Sequence, residues 1–472
     1  MDNYLKTYND LEKLGDASKE SFVYDAVSAY KTSTMYQTAV DAREYAKQQN
    51  PTIVRYQRFL INALGEKVPD NVSANHKCIS NFFYRFITQE NQYLLGKGIF
   101  FENEETKKKL GGKKFDKALS KIGFKALWGA CSYGFFNVDH IDVFDATEFV
   151  PLWDEYNGAL RAGIRFWQID YNKPLRMTLY EEDGYTDFVC VGTVTSVLNE
   201  KRAYKIKKAR VSNDPTAIYE IGENYDGFPI VPCFGNQFHQ SELVGQRTQI
   251  DAYDLIKSGF ANDLDDVQQI YWILKNAGGM DELDLARFVD ALNRTRTALL
   301  DDGVELDQKT AEIPYQARES YLTRLENDLY NDAMALNVKQ LASGNVTATA
   351  INAAYQQLDD KVDMFQSCIE DFVDGILELA GVEDTYRFQR SKVTNQQEVT
   401  QMVLSAAQYL DRETVLKLLP FINPEDIEGI LKRVDAEESN RYELPVDDGN
   451  DEDDEDNDEN NGDNDEDDGN DE

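Results

Sequence analysis

The sequence predicts an α+β chain, and three observations carry that prediction. Apolar residues recur at three- and four-residue steps through the first 130 or so positions and again from Ser241 onward, the spacing of amphipathic helices. Between 135 and 235 the period shortens, and aromatic and β-branched runs alternate with turn residues, as in an antiparallel meander. Third, Ile351, Tyr355, Leu358, Val362, Phe365, Ile369, Phe372 and Ile376 form a near-heptad stripe, which predicts one long helix over 347–380, roughly 50 Å in length.

Taken in order, residues 1–70 read as polar helices interrupted at Asn50-Pro51, with a further short helix over PTIVRYQRFLINALGEK. Residues 75–99 carry Ile79, Phe82, Phe83, Phe86, Ile87, Tyr93 and Leu94 on helical faces that Gly96 and Gly98 terminate. A second helix is expected from Lys113 to about Tyr133. The β-rich region follows, with turns at Glu155–Gly158 and Glu182–Gly184.

The helical period then returns over 244–268, with Asp251, Asp254, Asp263, Asp265 and Asp266 giving it an acidic side. IYWILKNA reads as a strand or helix end, MDELDLARFVDALNRTR as a short helix, and TALLDDGVELDQKTAEI as a hairpin turning at Asp302-Gly303. Pro314 opens a helix to about Leu341. A loop of small and polar residues, 342–350, precedes the long helix. TYRFQR suggests a strand, and helices are expected at about 395–410, at 411–420 and after the cap Asn423-Pro424. From 447 to 472 there are 17 Asp or Glu and no Lys or Arg, so this tail is expected to be disordered.

Composition narrows the function classes. The net charge is −37, and removing the 17 tail carboxylates still leaves −20. Such a surface repels nucleic acid at long range and argues against a sequence-specific DNA binder, but not against a protein that DNA passes through. Five scattered cysteines, Cys78, Cys131, Cys190, Cys233 and Cys368, form no CxxC; neither disulfide framework nor zinc site is expected. The start lacks a signal-peptide layout and no apolar run is long enough to span a membrane, so a cytosolic protein is expected.

No cofactor, metal site or catalytic residue is expected. His76, His140 and His239 lack partners at ligand spacing, although Asp139 and Asp142 flank His140. Neither GxxxxGK[ST], GxGxxG nor GxSxG occurs. Among 86 acidic residues, the Asp263/Asp265/Asp266 group reads as a helix face. Two basic stretches stand out. KKLGGKKFDK reads as a turn with a solvated charge run that could touch a phosphate, and NEKRAYKIKKAR reads either as a nucleic-acid contact or as a lysine-guarded edge strand.

Several phrases, in this order, resemble the portal proteins of tailed bacteriophages, in the SPP1-like group. ISNFFYRFITQENQYLLGKGI resembles the family's early helix, with Tyr93, Leu94, Leu95, Gly96 and Lys97 at its end. IDAYDLIKSGFANDLDD resembles its first stem helix through Asp251, Ala252, Tyr253, Ser258, Asn262 and Asp263. YLTRLENDLYNDA and SGNVTATAINAAYQQLDDKV resemble the second stem helix, the tunnel loop and the long helix. The phrases span about two thirds of the chain.

The resemblance implies a portal fold. Its parts would be a wing (1–243), a two-helix stem (244–268 and 314–340), a small α/β clip (269–313), a tunnel loop with the long tunnel-side helix (341–385), a helical crown (386–446) and the acidic tail (447–472). It implies a ring of about twelve copies at one capsid vertex, assembled in the host cytoplasm. Its partners would be the major capsid protein, the terminase large subunit, a head–tail adaptor and, transiently and non-specifically, double-stranded DNA. Ser343, Gly344, Asn345, Val346 and Thr347 would form the loop beside the DNA, and Asp251, Tyr253, Ser258, Asn262 and Asp263 would lie in the stem. The residues themselves leave open another virion or scaffolding protein, or a metal-dependent nuclease.

Overall fold

The computed structural model describes residues 5–14, 19–61, 65–71, 73–211, 214–267, 271–275, 283–284, 287–288, 305–309, 315–341, 348–392, 396–419, 421–422 and 426–442. Two units divide the chain, Met1–Val393 and Thr394–Glu472.

The first unit opens with helices α1 (Tyr8–Leu14), α2 (Lys19–Thr32) and α3 (Thr34–Ala46). The Ser33 hydroxyl accepts the Tyr36 N–H and caps α3. Asn50 caps α4 (Pro51–Arg55), which has proline at its first position. The expected helix beyond Asn50 is therefore only five residues long. After Tyr56, which is extended, the chain forms the antiparallel pair β1 (Phe59–Ile61) and β2 (Lys67–Pro69). A short apolar run such as Phe59-Leu60-Ile61 fits either element, so periodicity could not separate them.

Helix α5 (Phe82–Leu95) ends at Gly96, and Gly98 takes φ +75°. There follow β3 (Ile99–Phe101), α6 (Glu104–Lys109) and α7 (Lys113–Gly129). Helix α7 stops short of Tyr133. Residues from Cys131 onward are claimed by β4 (Cys131–Asn137), which is buried except at its last residue.

The β-rich region is as expected and entirely antiparallel. It comprises β5 (His140–Asp145), β6 (Phe149–Trp153), β7 (Leu160–Trp167), β8 (Leu175–Glu181), β9 (Gly184–Val191), β10 (Val194–Arg202), β11 (Lys205–Val211), β12 (Asp214–Glu223) and β13 (Ile230–Phe234). Strands β6 to β10 form a five-stranded meander, β13–β4–β5 a three-stranded sheet, and β11–β12 a hairpin. One core sets Phe22, Val23, Val27 and Tyr30 of α2 on the meander. A larger core joins α3, α5, α7, the three-stranded sheet and the later helices.

Next come α8 (Arg247–Val267), β14 (Tyr271–Lys275), β15 (Glu305–Lys309), α9 (Tyr315–Asp332), α10 (Val338–Leu341), α11 (Ala348–Ala380) and β16 (Tyr386–Phe388), which pairs with β3. IYWILKNA thus contributes a strand. Strand β15 pairs with β14, and the turn at Asp302-Gly303 lies outside the described residues, as does most of the expected helix over 280–296.

The helix expected to Leu341 breaks at 333–337. There Gln89 of α5 substitutes for helical bonds: its Oε1 accepts the Leu336 N–H at 3.0 Å, and its Nε2 donates to the Leu336 carbonyl at 3.2 Å. Helix α11 matches its expected bounds to within a residue. From Tyr355 to Ile376 its stripe is buried inside this chain's own core. At Gly134 of β4 an added Cβ would lie 2.6 Å from the Phe372 ring, so only glycine lets strand and helix approach this closely.

The second unit contains α12 (Gln396–Ala406), α13 (Arg412–Leu418) and α14 (Ile427–Tyr442). Asp411 caps α13 by accepting the Thr414 N–H at 3.0 Å. The cap Asn423-Pro424 and the tail 447–472 lie outside the described residues.

Candidate functional site

Helices α8 and α9 lie antiparallel. Near one end Gln249 donates to the Asp332 carboxylate, and near the other Arg318 forms an ion pair with Asp263. The linked positions are equally far apart on both helices, so the two links hold about 21 Å of helix in register. Beside them Leu255, Ile256 and Gly259 of α8 and Ala317 and Tyr321 of α9 line a hollow of about 380 Å³. Leu255, Leu264, Tyr315 and Tyr321 expose large apolar area here.

The root of α8 is fixed by a ladder that sequence reasoning missed. The carboxylate of Asp254 accepts the Ser80 N–H at 2.8 Å, Ser258 Oγ accepts the Cys78 N–H at 2.9 Å, and Asn262 Oδ1 accepts the His76 N–H at 2.6 Å. Four helical residues rise about 6 Å, and two extended residues span about 6.6 Å. Every second N–H of His76–Ser80 therefore meets every fourth side chain of α8.

Asn50 closes this joint. Its Oδ1 accepts the N–H groups of Thr52 and Ile53, while its Nδ2 donates to Asp251 and to Asp254, each at 2.9 Å. Tyr45 adds its hydroxyl proton to Asp251. Burial raises the Asp254 carboxyl above the usual range, against the pull of Ser80 and Asn50. Asp254 is wholly buried, which corrects its place on a solvated acidic side. Tyr253 is half-buried, edge-on to Phe82 at 5.0 Å.

A second missed cluster sits where α5, α11 and the approach to α8 meet. Lys361 Nζ lies 2.9 Å from a carboxylate oxygen of Glu90 and 2.9 Å from one of Glu242. Burial pushes Glu90 up to about 7, with Lys361 opposing and Glu242 adding to the rise. Burial pulls Lys361 down, but the two carboxylates outweigh it and raise it. Two carboxylates on one buried ammonium leave an excess negative charge, so one proton is favoured there.

Of the residues singled out from sequence, Asp251, Ser258, Asn262 and Asp263 are joined by the contacts above. Ser343, Gly344, Asn345, Val346 and Thr347 lie outside the described residues. The described residues contain no group of three His, Cys, Asp or Glu able to hold a metal ion. Among them no helix is long and apolar enough to cross a membrane.

Known proteins give the arrangement a context. The profile of the phage portal protein family, SPP1 Gp6-like, matches residues 42–440. A portal protein of Clostridium phage phiCD119 is 28% identical over 243 residues, which are 49% of this chain and 53% of that relative. The chain thus spans about half of that relative's length. The portal protein of Bacillus phage SPP1 is 25% identical over 440 residues, covering 85% of this chain and 84% of the other. Among solved structures, a chain in the neck of an empty GTA particle matches at 11% identity over 73% of this chain and 91% of its own, with a TM-score of 0.43. With its profile matched along most of its length, the chain belongs to the SPP1 Gp6-like family of phage portal proteins.

Proposed function

We propose that this chain is the repeating subunit of a closed ring at one capsid vertex, through which double-stranded DNA enters during packaging and leaves during ejection. The family match over residues 42–440 carries the reading. The uncovered apolar face of α8 and α9 supports it, since exposed patches of this kind mark contact surfaces and a ring presents each subunit with a neighbour.

In this reading α8 and α9 belong to the stem (244–268 and 314–340), and the intervening residues 269–313 form the clip. Residues 1–243 form the wing, 341–385 supply the tunnel loop and long helix, 386–446 the crown, and the acidic tail follows. Ser343 to Thr347 border the passing DNA. Acidic positions repel phosphates, so the duplex slides without static binding. The ring docks a terminase motor, the major capsid protein and a head–tail adaptor, and it has no catalysis of its own.

Electron microscopy of the purified full-length protein tests this directly. The expected image is a ring of about twelve subunits with an open channel. A monomer or compact dimer at high concentration, unchanged when capsid protein is supplied, sinks the ring assignment.

A further inference from the structure

Lys31 stands apart in a protein with 86 acidic residues. It lies in the last turn of α2, where Tyr24, Val27, Ser28 and Lys31 follow at steps of three, one and three and share one face. That face borders a hollow of about 540 Å³ whose other wall is one end of the five-stranded meander. Among the described residues, no Asp or Glu lines the hollow. The Lys31 ammonium sits over the Phe166 ring at 5.0 Å, and no carboxylate pairs with it among the described residues. Burial pulls it below the usual lysine range, and the Cys190 thiol pulls the other way. By contrast Lys19, at the opposite end of α2, has Glu181 at 3.0 Å. A cation taken partly out of water normally has such a partner.

The facing wall adds two further constraints on a ligand. Gln168 lines the hollow, and its Nε2 donates to the carbonyls of Tyr171 at 3.2 Å and Lys173 at 2.8 Å. Both amide protons are thereby used, so Gln168 offers a ligand its Oε1, which accepts an N–H. The rim is apolar. Leu175 of β8 pairs with Cys190 of β9, so the β7–β8 and β9–β10 turns are neighbours at this end of the sheet. Ile169 and Tyr171 on the first turn, and Val191 and Val194 at the second, are each more than two-thirds exposed. Apolar exposure gathered in this way marks a contact surface.

We propose that this hollow is the docking site for an extended segment of a partner protein that carries one carboxylate side chain between apolar ones. The carboxylate supplies the missing partner of Lys31, a backbone N–H meets Gln168, and the flanking side chains cover the two turns. A nucleic-acid backbone brings neither the N–H nor the apolar groups. A fatty acid brings the carboxylate and the apolar chain but no N–H.

Acetylation of the full-length protein by an N-hydroxysuccinimide ester, read residue by residue by mass spectrometry, tests the site. The probe is the capped peptide acetyl-Leu-Asp-Leu amide, with acetyl-Leu-Asn-Leu amide as its neutral control. The Asp peptide is expected to slow acetylation of Lys31 about tenfold at about ten times its Kd, while the exposed Lys47 reacts as before. The Asn peptide is expected to leave Lys31 unprotected. In a thermal melt the Asp peptide should stabilise the wild type and not Lys31→Met. Lys31→Met itself should melt no lower than the wild type, because it removes an unpaired, half-buried charge. If that variant folds poorly, Tyr171→Ala, at a side chain 93% exposed, takes its place and should weaken protection severalfold. Equal protection by the two peptides, or protection by neither, overturns the proposal. So does a Lys31→Met protein that melts lower yet still responds to the Asp peptide, which would confine the lysine to packing on Phe166. Protection by sodium octanoate where the Asp peptide gives none also overturns it, and would mark a fatty-acid site.

Discussion

Lys361 and Glu90 meet at 2.9 Å with both side chains almost entirely out of solvent. One comes from the long helix and the other from α5, and Glu242 reaches the same ammonium from the approach to α8. Three segments far apart in sequence are thereby tied at one point.

Burial raises Glu90 to about 7 from an ordinary 4.5. A carboxyl raised on folding contributes stability that is fully present below its unfolded value and is lost as pH rises through the folded one. Glu90→Gln imitates the protonated form. Relative to wild type, its melting temperature should therefore climb between pH 5 and pH 8, by the equivalent of about 3 kcal/mol at most. A relative melting temperature that stays flat over this range would show that the ion pair with Lys361 keeps Glu90 ionised throughout.

Asp254→Ala strands the Ser80 N–H and one Asn50 N–H in the interior, and should cost about 3 kcal/mol. Urea unfolding measures the loss. Combined with Asn50→Ala it should cost less than the sum of the two, because the partners are shared. Strict additivity would mean that the joint at the root of α8 does not act as a unit.

Gly134→Ala forces a methyl group into the Phe372 ring. Overpacking of this kind costs about 1–3 kcal/mol. The companion change Phe372→Leu should recover part of the loss in a thermal melt. Failure to recover any would place the strain in the β4 backbone rather than at the ring.

Arg318→Asp sets two carboxylates against each other across α8 and α9. The pair is about one-third exposed on each side, so the change should cost only about 1 kcal/mol. Adding Asp263→Arg should restore the original melt. If the swap restores nothing, the register of the two helices is held elsewhere, with Gln249 and Asp332 as the next pair to exchange.

Much of this fold was legible in the residues because much of it rests on periodicity. The change of period near 135, its return at 241 and the stripe from Ile351 to Ile376 each report a local repeat of burial. What was hidden depends on partners remote in sequence. The break after Asp332 is made by Gln89, 247 residues away from Leu336. Lys361 occupies a position that, on the helix alone, looks like any solvated lysine. Asp254 seemed to belong with the aspartates around it, and the remote segment His76–Ser80, together with Asn50, holds it inward. Asn50 was noticed as a helix interruption, but its second task at Asp251 and Asp254 left no mark in the local pattern.

The pairing of β14 with β15 bears on how such a subunit diversifies. Tyr271 lies opposite Lys309 and Lys275 opposite Glu305, so the chain leaves and rejoins the paired helices through one closed neck. Once a neck is closed, doubling the length of what lies beyond it adds only about 0.6 kcal/mol of chain entropy. Chain inserted between Lys275 and Glu305 is in that sense a graft on a fixed stock, whose length leaves the pairing of β14 with β15 as it is.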